Sequence, residues 1–150
     1  MSYEQLKLEN QLCFRLYTVA RLMTQAYQPW LSQLGITYTQ YIVLMVLWEQ
    51  DHQPVNDIAK RLYLETNTVT PLIKRMEKLG LVARQNSETD KRQQIVYLTQ
   101  KGKDMRKKAA DIPTCMTNDF SRCGIDPESM KAMIPILDNL LSKLSVKEED

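Results

Sequence analysis

Two groups of residues in this chain have the types and spacing to do chemistry. The first is a thiol beside phenols: in a helix, Cys13 and Tyr17 are one turn apart and share a face. A thiolate is a nucleophile, and a peroxide oxidises it to a sulfenic acid at a rate set by the thiolate fraction. Two further thiols, Cys115 and Cys123, stand in the last third of the chain. The second group is polar and basic. Thr66, Asn67, Thr68 and Thr70 are followed by Lys74 and Arg75, then Arg84, then Asp90-Lys91-Arg92. Hydroxyl and amide side chains at a helix start can read base edges, while guanidinium and ammonium groups hold phosphates.

The second group dictates its own scaffold. Val69, Leu72, Ile73, Met76 and Leu79 recur at helical spacing, with Lys74, Arg75 and Lys78 on the wetter side. Pro71 is tolerated because it lies close to the helix start. Gly80 suits a left-handed cap, so the helix ends there. Leu81–Arg84 and Gln93–Leu98 then read as two strands, joined by the polar tip Asn86–Arg92. A basic helix followed directly by a basic-tipped hairpin is a winged helix-turn-helix, whose helix fits the DNA major groove. Thr66, Asn67, Thr68 and Thr70 are the expected base readers. Lys74, Arg75 and Arg84 are expected on phosphates, and Arg92 beside Lys91 at the wing tip is expected in the minor groove.

The flanking segments must carry the thiols. Tyr3 to Leu34 reads as one long helix with Leu12, Leu16, Val19, Ala20, Met23 and Tyr27 as its apolar stripe, bent or ended by Pro29. On that reading Cys13 lies too deep in its helix to feel the N-terminal dipole strongly. Thr37 and Gln40 have capping-box spacing, and Tyr41 to Trp48 is apolar almost all round, which marks a central helix. Asp51–Pro54 reads as a turn, Val55–Leu62 as a short helix, and Leu64–Asn67 as the lead into the recognition helix. Lys103–Asp111 is helical until Pro113. A last helix follows Asp126 as N-cap and Pro127 as first residue, with Met130, Met133, Ile134, Leu137, Leu140, Leu141 and Leu144 along it. That face is broad for a terminal helix, so it pairs with the first helix as a dimer interface. Lys147–Asp150 is expected to fray.

The chain has 150 residues, 43% of them hydrophobic, which suits one domain with a real core. The expected organisation is mainly α with a small β-hairpin wing, residues 37–102 binding DNA and residues 1–36 and 103–146 making the dimer. Net charge is only +2, but from Pro54 to Lys108 there are 13 Lys and Arg against 6 Asp and Glu, and elsewhere 7 against 12. The middle therefore carries +7 and the two ends −5, so the middle is the polyanion-binding part. No signal peptide or bilayer-spanning run is read, which predicts a cytoplasmic protein with reduced thiols. Cys115 and Cys123 are eight apart with no histidine near them, so a zinc site is not expected, nor any other cofactor.

These motifs resemble the MarR family of bacterial repressors. Leu72–Val82, then Asp90-Lys91-Arg92, then Val96–Gly102 follow that family's helix end, wing tip and strand end in order. The family pattern implies that Asp90 is paired to a neighbouring arginine and so orients Arg92. The first helix is similar to the organic-hydroperoxide-sensing branch: Leu12-Cys13-Phe14-x-Leu16-Tyr17, Met23-Thr24-x-Ala26-Tyr27-x-Pro29 and Leu34–Tyr41, with Asp111-Ile112-Pro113 later. The resemblance implies that Cys13 is the peroxide-reactive residue, with Tyr17, Tyr27 and Tyr38 around it.

Single-cysteine members of that branch depend on a small external thiol. This chain has two candidates to resolve a sulfenic acid, Cys123 beside the mobile-backbone turn Gly124–Pro127, and Cys115, expected to be buried and inert. The leading expectation is a dimeric repressor on an inverted-repeat site in double-stranded DNA, with an organic hydroperoxide as its signal. A MarR-type repressor released by a small apolar or phenolic ligand, with Cys13 incidental, is the alternative. A thiol peroxidase is the remote one, because such an enzyme has no use for a basic winged helix.

Overall fold

Tyr41 to Trp48 is apolar almost all round, and the helix that contains it, Tyr38–Glu49 (α3), becomes the centre of the molecule in the computed structural model, which describes residues 1–145. The capping box forms: Gln40 N–H donates to Thr37 Oγ1 at 3.3 Å, and Thr37 N–H to Gln40 Oε1 at 3.0 Å. Tyr41, Val43, Leu44, Val46 and Leu47 are buried on several sides of the helix at once. Against them pack α2 (Gln28–Leu34), α4 (Val55–Arg61), α5 (Thr66–Lys78) and α6 (Gln100–Ala109). Ile58, Ile73, Met76, Leu81 and Val96 complete the dry core between helices and sheet.

The winged helix-turn-helix forms, with local corrections. The recognition helix α5 already begins at Thr66, behind Glu65, so the lead-in is shorter than expected. It ends at Lys78, Gly80 just beyond takes the left-handed φ of +73° that closes it, and Leu79 between them is exposed rather than part of the apolar stripe. The wing strands are β2 (Val82–Asn86) and β3 (Gln94–Leu98), antiparallel with Arg84 opposite Val96. A third strand corrects the reading of Asp51–Pro54 as a turn. Gln53–Pro54 (β1) pairs with the other edge of β3, giving the order β1-β3-β2. Pro is admissible there because β1 is an edge strand. Asp51 fixes its entry, its Oδ1 accepting from Leu98 N–H and His52 N–H at 2.9 Å each.

Helix α6 starts at Gln100 rather than Lys103, because Thr99 caps it and Gly102 sits in its first turn. That turn is pressed onto the wing base. Thr99 Oγ1 donates to Gly80 O at 2.6 Å, Thr99 N–H to Leu81 O at 3.1 Å, and Trp48 Nε1 to Gly102 O at 2.9 Å. A β-carbon on Gly102 would lie 2.2 Å from Leu81 O, so no other residue fits without backbone movement.

The ends depart most from expectation. Tyr3–Leu34 is not one helix: two 3-10 turns (Glu4–Leu6 and Leu8–Asn10) precede α1 (Leu12–Ala26), and α2 is a separate helix. Pro29 opens α2, since a proline fits a first turn but not a helix interior. After α6 come α7 (Ile112–Arg122) and α8 (Pro127–Leu144). Asp126 caps α8 as expected, accepting from Glu128 N–H and Ser129 N–H at 3.2 and 3.3 Å. Neither α1 nor α8 has a buried residue. Leu12, Phe14, Val19 and Leu22 on α1, with Met133, Ile134, Ile136 and Leu141 on α8, are all exposed. Lys147–Asp150 lie outside the described residues. Among those described, no helix is long and apolar enough to cross a membrane.

Candidate redox centre and DNA-reading surface

Cys13 is the second residue of α1, not deep within it, because the 3-10 turns end at Asn10. It is exposed in the first turn of that helix. Tyr17 is on the same face and 71% exposed. Tyr27 and Tyr38 stand elsewhere, at the junction of α1, α2 and α3, with ring centroids 5.2 Å apart. Cys13 and Tyr27 occupy opposite ends of α1, about 21 Å apart at a helix's usual rise. One protomer therefore does not bring Cys13 to the Tyr27–Tyr38 pair.

The aromatic cluster is larger than its two expected members. Tyr41, read from the sequence only as core, has its ring 5.9 Å from Tyr27 and 6.2 Å from Tyr38, and 6.5 Å from Trp48. Burial pushes all three phenols up from their ordinary ionisation range, and for Tyr27 and Tyr41 the neighbouring tyrosines add to it. The hydroxyls of Tyr27, Tyr38 and Tyr41 hydrogen-bond to none of the described residues. No fully buried side-chain oxygen among those residues lacks a partner, so these three hydroxyls reach the surface. The only sequence signal for Tyr41 is its three-residue spacing from Tyr38.

The other two thiols lie along α7. Cys123 is its exposed C-cap, before Gly124 with φ +83°. Cys115 is half-buried rather than buried as expected. It lies one turn before Asp119, whose Oδ2 accepts from Trp30 Nε1 at 3.3 Å, and Trp30 is three residues beyond Tyr27.

Helix α5 presents its start to solvent. Thr66, Asn67 and Thr68 are exposed on its first turn. Thr66 Oγ1 donates to Asn56 Oδ1 of α4 at 3.1 Å, and Thr70 Oγ1 donates back to Thr66 O at 2.9 Å. Lys74 and Arg75 are exposed. Arg84 is not held ready for phosphate: it forks onto Glu77, Nε to Oε2 and Nη2 to Oε1 at 3.2 Å each. The strand's side chain meets a carboxylate on the helix it follows, a pairing that sequence distance does not announce. Asp90 acts on the chain rather than on the guanidinium of Arg92, its Oδ1 accepting from Arg92 N–H at 3.0 Å. That turn holds Lys91 and Arg92 exposed at the wing tip. Asn56, Thr66, Thr70, Arg84, Arg92 and Gln94 line one cleft between the two helices and the wing.

Residues 25–109, more than half of the chain, match the family model described as transcriptional regulator SarA/Rot. An organic hydroperoxide resistance transcriptional regulator of Bacillus subtilis is 42% identical over 142 residues, 94% of this chain and 97% of its own. The chain belongs to this MarR-type family of winged-helix transcriptional regulators. The regulator's fold is also that of AbfR of Staphylococcus epidermidis. The structure of reduced AbfR bound to DNA is 40% identical with a TM-score of 0.79, covering 96% of this chain and 99% of that one. The structure of disulfide-formed AbfR is 37% identical, covers 93% and 95%, and superposes less closely, with a TM-score of 0.64.

Proposed function

We propose that this regulator is a homodimeric repressor that holds an inverted-repeat operator and releases it when an organic hydroperoxide oxidises Cys13. One observation carries the reading. Cys13, in the first turn of α1, lies exposed on a helix with no buried residue, in a chain 42% identical to an organic hydroperoxide resistance regulator. The solved AbfR forms, reduced on DNA and disulfide-linked, support a redox signal. Residues 1–36 and 103–146 make the dimer in this reading, and residues 37–102 bind DNA.

A two-fold axis crossing α1 near its middle runs the helices of two protomers antiparallel. Positions 13 and 27 are symmetric about position 20, so such a crossing sets Cys13 beside Tyr27 and Tyr38 of the second copy. Their surface hydroxyls, kept protonated by burial, would donate to the sulfur. Tyr17 of the same helix completes the set. The thiolate attacks one peroxide oxygen, the O–O bond breaks, and the leaving alkoxide takes a proton to become the alcohol. A second thiol then attacks the sulfenic sulfur and water leaves, which balances the two-electron reduction of the hydroperoxide.

The resolving thiol belongs to α7 of the second copy. Exposure and a movable turn favour Cys123; proximity favours Cys115, through the contact of Asp119 with Trp30 beside the tyrosine cluster. A disulfide needs the two Cα atoms within about 7 Å, so forming it drags the end helices and respaces the recognition helices. Base reading falls to Thr66, Asn67, Thr68 and Thr70, phosphate holding to Lys74, Arg75 and Lys91, and entry into the minor groove to Arg92, with Asp90 setting the wing tip. Arg84 joins them only by leaving Glu77.

Operator titration against cumene hydroperoxide, with non-reducing electrophoresis, tests the whole. Wild type should lose the operator and run as a covalent dimer, and Cys13→Ser should do neither. Loss of the covalent dimer in Cys123→Ser or in Cys115→Ser names the resolving residue. Release by hydroperoxide that persists in Cys13→Ser would overturn the reading in favour of a ligand-released repressor. Sustained turnover of peroxide would make the protein a peroxidase.

A further inference from the structure

Tyr41 belongs to the same cluster as Tyr27 and Tyr38, yet nothing in the reading above uses it. The residue is 4% exposed, and its ring has three aromatic neighbours: Tyr27 at 5.9 Å, Tyr38 at 6.2 Å and Trp48, edge-on, at 6.5 Å. Trp48 is itself fixed by its indole bond to Gly102 O. A ring so confined cannot swing, so its hydroxyl has one place to be. That hydroxyl has no partner among the described residues and reaches the surface. A core tyrosine ordinarily ties its hydroxyl to a neighbour. Here three neighbouring tyrosines leave theirs untied, which is more donors than one sulfur in the first turn of a helix calls for.

Peroxide chemistry has a second oxygen to look after. When the Cys13 thiolate bonds to the terminal oxygen, the pair of electrons in the O–O bond goes to the alkoxide. An alkoxide is a very strong base, and a donor placed beside it lowers the barrier by general acid catalysis. We infer that Tyr41 of the second copy is that donor, giving its hydroxyl proton to the leaving oxygen of the hydroperoxide while Tyr27 and Tyr38 hold the attacking sulfur. The step balances: thiolate and hydroperoxide become sulfenic acid and alkoxide, the alkoxide takes the Tyr41 proton to give the alcohol, and water returns a proton to the tyrosinate. Return from water is open because the hydroxyl is wetted. Burial, with the adjoining tyrosines, keeps Tyr41 in its protonated form before the reaction. The inference rests on the peroxide-sensing reading and adds to it a residue for the other half of the broken bond.

The assay is single-turnover oxidation of Cys13 in the full-length dimer, followed by trapping of the sulfenic acid, for wild type and Tyr41→Phe. Cumene hydroperoxide leaves as an alkoxide and needs the proton, whereas peracetic acid leaves as a carboxylate and does not. The expected result is a fall of about 100-fold with cumene hydroperoxide, the lower end of general-acid contributions, and an unchanged rate with peracetic acid. Alkylation of Cys13 by iodoacetamide, which reports the thiolate alone, should also be unchanged. Equal slowing of both oxidants, slowed alkylation, or a wild-type rate with cumene hydroperoxide would each overturn the assignment. If the variant loses operator binding and so its fold, the wild type decides alone: a solvent deuterium isotope effect must appear with cumene hydroperoxide and vanish with peracetic acid. Failure of wild type to oxidise at Cys13 at all would instead overturn the peroxide-sensing reading.

Discussion

Gly102→Ala should loosen the joint between the central helix, α6 and the wing. The added methyl carbon would lie 2.2 Å from Leu81 O, where about 3.3 Å is the closest ordinary approach of carbon to oxygen. The first turn of α6 must therefore retreat by about 1 Å, and it cannot do so alone. Leu81 O is held by Thr99 N–H, and Gly102 O by the Trp48 indole. Overpacking of this kind costs about 1–3 kcal/mol, and a weakened indole bond about 1 kcal/mol more. Replacing glycine in a helix returns up to about 1 kcal/mol. The net loss is about 1–3 kcal/mol, or a Tm lower by about 5 °C in a protein of this size. Calorimetry of the reduced protein measures it, with Trp48→Phe and the double variant alongside. Because the two residues share one hydrogen bond, their losses should be less than additive. A Tm equal to or above wild type for Gly102→Ala, or full additivity with Trp48→Phe, would refute the argument that this joint is tight.

Arg92→Ala should weaken operator binding and flatten its salt dependence by about one unit of slope, since one cationic contact with the DNA is lost; an unchanged affinity and slope in a salt titration would mean that the wing tip does not touch the DNA. Arg84→Ala should cost about 0.5–1 kcal/mol of stability, measured by urea unfolding, because it breaks a half-exposed fork with Glu77. Alkali should destabilise the fold through the tyrosine cluster. Folding raises the ionisation of Tyr27, Tyr38 and Tyr41 above the unfolded value of 10.0, so their contribution is complete below pH 10 and lost as pH rises above it. A Tm series from pH 9 upward should show the fall, and Tyr27→Phe with Tyr38→Phe should reduce it.

Where the signal was local, the residues announced the structure. Thr37 and Gln40 are three apart and form their box, Asp126 precedes Pro127 and caps α8, and Gly80 stops α5. Each of these devices is complete within four residues, so tertiary packing has little chance to override it. The misses lie where the decision is made at a distance. Gln53–Pro54 is a strand only because β3 has an open edge beside it, and two residues carry no period of their own. Leu6, Leu8 and Leu12 look like the front of a helix, but all three are exposed among the described residues, and the segment before Leu12 turns in 3-10 steps instead. That change moves Cys13 from a helix interior to a helix start. Arg84 and Glu77 meet across the corner between α5 and β2, and the tyrosine cluster gathers from α1 and α3. Side chains that meet only after folding leave no spacing to read. The proposed redox centre was the least legible part, because Cys13 and the Tyr27–Tyr38 pair stand at opposite ends of α1 within one protomer.

The hydroxyls at the start of α5 carry a consequence for sequence choice. Thr66 and Thr70 have each committed their single proton, one to Asn56 and one to the helix's own carbonyl. What each can still show a base pair is lone-pair electrons and a methyl group. In the major groove only the amino groups of adenine and cytosine offer protons, and only thymine offers a methyl in return. Guanine, which presents two acceptors there, finds nothing at these positions to bind. If these threonines face base edges as proposed, they can accept from the adenine of an A·T pair or the cytosine of a G·C pair, and only the thymine methyl tips that choice towards A·T.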